Sequence, residues 1–326
     1  ASDQVTSEPD TSFDSEYHAP VLAGEVAGHF ANAKSVLDGT LGGGGHSEAL
    51  LTAGVAAVTG VDRDPEALAA ATRRLDRFMR DGRFRAVHGN YADAAEGSIA
   101  ELRDSVFDGV LLDLGVSSRQ LDAMERGFTF REGAPLDMRM DPENPGARTA
   151  ADVLNRDDEA ALMRVFREYG DEPRARRLAR EIVRRRATSP FATSDDLVRA
   201  IRGALGPPPR SGPSDFARLF QALRIAVNDE LEGLRRALPA FRDRLAPGGV
   251  LVVISYHSGE DRLVKHAFRD WSTGCVCPPR QPICTCGGRA MGKVLTKRAI
   301  AAGPEEVSRN PRARSAKLRA WRKADA

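Results

Sequence analysis

The sequence predicts an α/β fold in which a parallel sheet is interrupted by an all-helical insertion. Three observations predict it. Short apolar runs alternate with helical patterns over the first third of the chain, the pattern of strand–helix–strand units. The first run breaks into four consecutive glycines, Gly42 to Gly45, just before a helix, so bare backbone amides can approach a ligand there. After about Gln120 the strand signal stops, and it returns only with the β-branched run around Val250.

The elements follow in order. Residues 35–38 form the first strand, and the glycine turn leads into a helix over 47–53. Residues 56–62 form the second strand, which ends on Asp62. Asp64 then caps a helix over 65–80, with Pro65 at its first position. Strands three and four cover 84–88 and 107–114. Helices are expected over 150–154, 158–169, 173–187 and 194–205, the last capped by Thr193 or Ser194 and ended by Gly206 and three prolines. A long helix over 216–238, a strand over 250–255 and a helix over 261–271 restore the sheet logic. Residues 293–299 and 315–322 supply two final strands. The expected domains are a disordered tail over 1–16, a discontinuous sheet domain over 17–119 and 216–326, and a helical insertion over 120–215.

Composition narrows the class. With 41% hydrophobic and 29% charged residues, the chain can build a core and stay in solution. No apolar run reaches the length of a bilayer span, so no membrane partner is expected. The polar, acidic first residues lack the apolar segment of a signal peptide, and a cytoplasmic protein is expected. Net charge is only +2, so any nucleic-acid signal must lie in its distribution. One cluster is Arg174, Arg176, Arg177, Arg180, Arg184, Arg185 and Arg186, either a solvated face balanced by neighbouring carboxylates or an RNA contact. The second is Arg309, Arg312, Arg314, Lys317, Arg319, Arg322 and Lys323, with Trp321 among them and few acidic neighbours; phosphate contact is expected there. Cys275, Cys277, Cys284 and Cys286 form two Cys-x-Cys pairs, a candidate structural zinc clip whose alternative is a loop of free thiols.

The glycine turn must be assigned a cofactor. A dinucleotide site needs a third glycine inside the helix, and Ser47 stands at that position. Asp38 ahead of the turn fits instead the Asp-x-x-x-Gly-x-Gly pattern of S-adenosylmethionine sites, where a carboxylate can meet the cationic amino group of the methionine moiety. Leu245-Ala-Pro-Gly-Gly before the apolar run at Val250 agrees with that reading. The expected fold is thus a Rossmann-like, class I S-adenosylmethionine-dependent methyltransferase sheet with an inserted helical domain. Asp62, at a strand end about twenty residues after Gly42, is placed to bind ribose hydroxyls.

Several longer motifs are more specific. They are His18-Ala-Pro-Val-Leu22, Asp38 to Ser47, Gly60-Val-Asp-Arg-Asp-Pro65, Asp113-Leu-Gly-Val-Ser-Ser-Arg-Gln-Leu-Asp122, Arg126-Gly-Phe-Thr-Phe130, Pro135-Leu-Asp-Met-Arg-Met140 and Ser255-Tyr-His-Ser-Gly-Glu-Asp-Arg262. Through them the chain, from about Tyr17 onward, resembles the RsmH (MraW) family of bacterial ribosomal RNA cytosine-N4-methyltransferases. The resemblance implies S-adenosylmethionine as cofactor. It implies that Gly44, Gly45 and His46 line the methionine end, that Asp62 binds ribose, that Tyr91 flanks adenine, and that Asp113 and Gln120 complete the pocket. It implies one target, cytidine 1402 in the decoding region of 16S rRNA in the small ribosomal subunit.

The chemistry of that reaction selects residues. The exocyclic amine of cytosine is a poor nucleophile that must be positioned and must lose a proton. Asp113, at the carboxyl end of the fourth strand, either binds the cofactor amino group or accepts from that amine. His257 after the fifth strand relays a proton or contacts phosphate. Tyr256 and Phe130 are candidates to stack on the base. Arg262 pairs with Asp261 or reaches RNA, and Arg139 lines the insertion side of the cleft or forms an internal salt bridge with its neighbouring carboxylates. Two other readings stay open: a methyltransferase of this fold with a DNA, protein or small-molecule acceptor, and a non-catalytic nucleotide-binding factor in ribosome assembly.

Overall fold

A computed structural model describes residues 20–206, 214–274, 283 and 288–325. Seven strands form one sheet: β1 (Ser35–Asp38), β2 (Ala57–Asp62), β3 (Phe84–His88), β4 (Phe107–Asp113), β5 (Leu245–Ser255), β6 (Gly292–Val294) and β7 (Lys317–Lys323). Their order is β3-β2-β1-β4-β5-β7-β6. β1 to β5 run parallel, while β7 pairs antiparallel with both β5 and β6. This is the Rossmann-like α/β sheet that the sequence predicts. The strand order reverses at β1, so a crevice opens beyond the carboxyl ends of β1 and β4, where such sheets bind ligands. Asp38, Asp62 and Asp113 are the last residues of β1, β2 and β4.

Both faces of the sheet are covered, which explains the continuous apolar runs. Val36, Leu111, Val250, Val252 and Ile254 enter one core; Leu37, Val110, Leu112, Leu251 and Val253 enter the other. The alternation is the period of two that a strand imposes. Among the described residues no strand lies between β4 and β5. Helices there bury a third core, with Leu154, Phe166, Leu178, Ile182, Leu197, Ile201, Leu219 and Leu223 at its centre.

Several elements depart from their sequence limits. The helix expected over 216–238 is two helices, Ser214–Asn228 and Glu230–Arg244, broken where Asp229 takes φ of 53°. Asp tolerates this left-handed conformation better than most residues. The 65–80 segment is Pro65–Arg74 and Asp76–Arg80, and Asp64 caps the first by accepting from the Glu66 amide. The 158–169 segment ends in a π turn, Val165–Tyr169. The strand expected over 293–299 is regular only as β6, and the last strand starts at Lys317 because Pro311–Ser315 is a 3-10 turn. The acidic tail over 1–16 and the four cysteines lie outside the described residues.

The basic run at the C-terminus needs correction. Trp321 is fully buried in β7, in the core that holds Leu251 and Val253, and is not a stacking surface for RNA. Arg319 forks onto Asp261 at 2.7 and 3.2 Å, Lys317 lies 3.6 Å from the same carboxylate, and Lys323 donates to the Asp243 and Leu245 carbonyls. Those cations tie β7 to its neighbours. In the other cluster Arg180 and Arg176 meet Glu159, Arg184 and Arg185 meet Glu181, and Arg186 donates to backbone carbonyls, as a solvated helix face does.

Candidate active site

The turn after β1 is built on backbone bonds. Gly39 donates to the Leu111 carbonyl, Leu41 to Val61 and Gly44 to Leu41, so the loop is stitched across β4 and β2 before the Gly45–Thr52 helix begins. Asp38 sits beneath it. Its carboxylate accepts from the Ser47 hydroxyl at 2.8 Å and the Thr40 amide at 3.2 Å, and only 1% of the residue is exposed. Burial pushes its pKa up to about 6 against the pull of His46 and these hydrogen bonds. Asp38 therefore holds the loop from inside and does not reach the cavity as the sequence pattern suggested.

The cavity above the turn has a volume of about 350 Å³. Gly42, Gly43, Gly45 and His46 line it, but Gly44 does not. Gly44 caps the helix at φ of 82°, and a side chain there would meet Leu75 and Ala71 at 3.0 and 3.2 Å. Its role is close packing and a left-handed turn, not ligand contact.

Asp62 lines the cavity from the end of β2. One carboxylate oxygen accepts from the Gly42 amide at 2.7 Å and the other from the Asp64 amide at 2.9 Å. Desolvation raises its pKa against those two bonds. A carboxylate offers about four acceptor positions, so two remain for hydroxyl groups of a ligand. Tyr91 lines the cavity beyond β3, and its hydroxyl points to the Glu230 carbonyl at 3.4 Å. Gln120 also lines the cavity, yet its amide is engaged: the nitrogen donates to Asp64 at 2.8 Å and the oxygen accepts from the Ser117 amide at 2.9 Å.

Asp113 stands at the opposite side, at the end of β4. The Thr40 hydroxyl oxygen accepts from its amide at 2.6 Å, which fixes the strand end against the glycine turn. Its Oδ1 accepts from the Tyr256 hydroxyl at 2.8 Å. Its Oδ2 lies 3.3 Å from His46 Nε2, a charge contact without hydrogen-bond alignment. Burial and the Asp113 charge both push the Tyr256 phenol well up, so it stays a donor. Burial opposes a charge on His46, but the Asp113 and Asp38 carboxylates outweigh it and raise its pKa.

Other expected residues fall elsewhere. His257 does not line the cavity; its Nε2 lies 3.2 Å from Glu260 Oε1. Glu260 is buried, accepts from the Tyr256 amide at 2.9 Å, and has its pKa lowered: burial would raise it, but His257 and that amide prevail. Arg262 is exposed on the Ser258–Trp271 helix, away from the cavity, and Asp261 turns to Arg319 instead. Arg139 forks onto Asp137 at 2.9 and 2.8 Å and donates to the Pro142 carbonyl, an internal salt bridge outside the cavity. Tyr256 does reach the cavity, but its hydroxyl is engaged by Asp113. Phe130 packs edge-on against Phe220 with ring centres 5.9 Å apart and is not a cavity residue.

The cavity also contains groups that sequence reasoning missed. Arg224 forks onto Glu230 with two 2.8 Å bonds, both residues lining the wall. Their separation of six is not a helical pairing; it depends on the break at Asp229, which has no clear sequence mark. Arg312 lines the cavity beside Asn310. Among the described residues no group of three or more His, Cys, Asp or Glu side chains could hold a metal.

The MraW methylase family model matches residues 15–324. The ribosomal RNA small subunit methyltransferase H of Gemmatimonas aurantiaca is 63% identical over 308 residues, covering 94% of this chain and 96% of that protein. The proteins of the same name from Heliobacterium mobile and Geobacter sulfurreducens are each 48% identical over 314 residues, covering 94% of this chain and 99% and 98% of theirs.

Proposed function

The chain belongs to the MraW methylase family, and from that premise we propose that it methylates the exocyclic N4 of one cytidine, 1402 of 16S rRNA in the small ribosomal subunit, in the cytoplasm. The methyl donor is S-adenosylmethionine. The observation that carries this reading is Asp113, held by Tyr256 and flanked by His46, in one cavity with the glycine turn and Asp62. The residues fit the cofactor. Asp62 keeps free acceptor positions for ribose hydroxyls, Tyr91 offers an aromatic wall for adenine, and the turn from Gly42 to His46 presents backbone and the buried His46 ring to the methionine end. When bound, the cofactor supplies an electrophilic methyl group on a sulfonium.

The protein's own part is positioning and proton acceptance. The cytosine amine lone pair is delocalised into the ring. A carboxylate accepting from its N–H orients the nitrogen and takes the proton that must leave. Asp113 can do this because its carboxylate is oriented by the Tyr256 hydroxyl and lies beside His46. The base leaves its stack to enter such a cavity, and the helical segment over 120–215 grips the surrounding RNA. The candidate zinc clip at Cys275, Cys277, Cys284 and Cys286 rests on spacing, and metal analysis of the purified protein tests it.

The test is methylation of small ribosomal subunits taken from cells lacking this gene, using labelled donor and nucleoside mass spectrometry. N4-methylcytidine at the one position is expected. Label in another nucleoside, or only in DNA or protein, overturns the acceptor. Absence of both transfer and donor binding overturns the enzyme reading.

A further inference from the structure

Three consecutive residues at the end of β2 each bind a different part of the molecule. Asp62 accepts from the Gly42 amide of the glycine turn. Arg63 donates through Nη1 to the Asn228 carbonyl at 3.0 Å, where the helical segment returns to the sheet. Asp64 Oδ2 accepts from Gln120 Nε2 at 2.8 Å and lies 3.0 Å from Arg126 Nη1, where the helical segment begins. The Asp64 contacts are well shielded: Asp64 is 2% exposed, and Gln120 and Arg126 are buried, as is Asn228.

The two ends also meet each other. Arg126 Nη2 donates to the Arg139 and Met140 carbonyls. Asn228 donates to the Met138 carbonyl at 2.7 Å and accepts from the Met140 amide at 2.8 Å. The stretch Met138 to Met140 is therefore held from both sides, with Met138 at φ of 63°. Because Asp62 Oδ1 accepts from the Asp64 amide, the carboxylate that faces the cavity and the carboxylate that anchors the helical segment share one turn.

We propose that Asp64 is a positioning residue that sets the helical segment against the cofactor loop, so that ligand contact at Asp62 and placement of the RNA-facing helices are coupled. This rests on the function proposed above for its choice of ligands. The argument is geometric: a shift of the 62–64 turn on ligand contact reaches Gln120 and Arg126 through one shared oxygen, and Met138 to Met140 through Arg126 and Asn228. Coupling of this kind is a free energy between two sites that bias one element.

The polarity of the contact allows a selective test. Asp64→Asn keeps the Oδ1 acceptor for the Glu66 amide, so the helix cap survives. It sets an amide donor against two donors, Gln120 Nε2 and Arg126 Nη1. Adding Gln120→Glu reverses the polarity and retains an acceptor for the Ser117 amide. Hydrogen exchange is measured with and without S-adenosylhomocysteine, whose binding is read separately by calorimetry. In the wild type the ligand is expected to slow exchange at the Met138 and Met140 amides by about fivefold or more. D64N should still bind it but lose that protection, and D64N/Q120E, which restores the contact to residue 120 but not the one to Arg126, should regain only part of it. D64N should also raise KM for the ribosomal particle about tenfold while kcat falls less than threefold. Arg126→Lys keeps a cation beside Asp64 and drops the fork to Met140, so it must show the same loss should D64N fold poorly. Ligand binding without protection in the wild type, or protection retained in D64N, overturns the proposal alone. Failure of the wild type to bind S-adenosylhomocysteine overturns the proposed function and this inference with it.

Discussion

The Tyr256 hydroxyl donates to Asp113 Oδ1 at 2.8 Å, and the Asp113 amide donates to the Thr40 hydroxyl oxygen at 2.6 Å. The carboxylate of β4 is thereby oriented from β5 while its backbone is fixed to the glycine turn. Tyr256→Phe removes only the first of these bonds. We expect S-adenosylhomocysteine affinity to stay within about threefold while single-turnover methylation slows roughly ten- to a hundredfold. An unchanged rate would show that Asp113 needs no such support.

Asp113→Asn keeps the backbone anchor and the shape but loses the proton acceptor. Its kcat should fall about 10²- to 10⁴-fold with the melting temperature preserved. Methylation of subunits by this variant at the wild-type rate would remove Asp113 from the chemistry.

Asp62→Ala takes away both the ligand-facing carboxylate and the acceptor for the Gly42 amide. Leaving that amide without a partner costs about 1–3 kcal/mol of stability. S-adenosylhomocysteine affinity, measured by calorimetry, should fall at least about tenfold.

The pH dependence of stability carries the mark of Asp38. Its pKa is raised from 3.8 to about 6 in the folded state. The folded protein thus holds that proton more tightly than the unfolded chain. The favourable contribution is complete below the unfolded value and is lost as pH rises through about 6. His46, also raised, acts in the same direction from 6.5 upward. Urea unfolding of wild type and Asp38→Asn at pH 4 and pH 8 checks this. Going from the higher to the lower pH should shift the comparison toward wild type by roughly 2–3 kcal/mol. A pH-independent difference would mean that Asp38 does not titrate in this way.

Arg224 and Glu230 form a buried pair at the cavity wall. Burial works against the guanidinium charge, and Glu230 restores it by raising the Arg224 pKa. Arg224→Met alone strands a buried carboxylate and should cost about 3–5 kcal/mol, whereas Arg224→Met with Glu230→Leu should recover most of that stability. Thermal unfolding of the two variants separates the cases.

The sheet was legible because its signals are local. Alternating apolar runs and the glycine turn place β1 to β4, and a carboxylate at a strand end must lie at the ligand-binding edge, which finds Asp62 and Asp113. Asp38 shows the limit of that rule: it also ends a strand, but its side chain points under the turn to Ser47. Gly44 belongs to the motif yet serves packing against Ala71. For Arg139 the internal salt bridge was one of two readings the sequence left open, and Asp137 takes it; His257 looks free in sequence because Glu260 could equally face solvent. The Arg224–Glu230 pair was invisible because a single left-handed residue, Asp229, creates it, and Asp occurs in helices too often to announce a break.

β7 lies between β5 and β6, with Trp321 in the core. The stretch 317–323 leaves the ribosome after the other six described strands. Until then β5 presents an open row of peptide groups to the cell, together with the apolar seat of an indole. A stop codon shortly before residue 317 would leave that edge permanently bare, inviting self-association. Loss of residue 317 onward should thus yield insoluble material and not a merely less active enzyme.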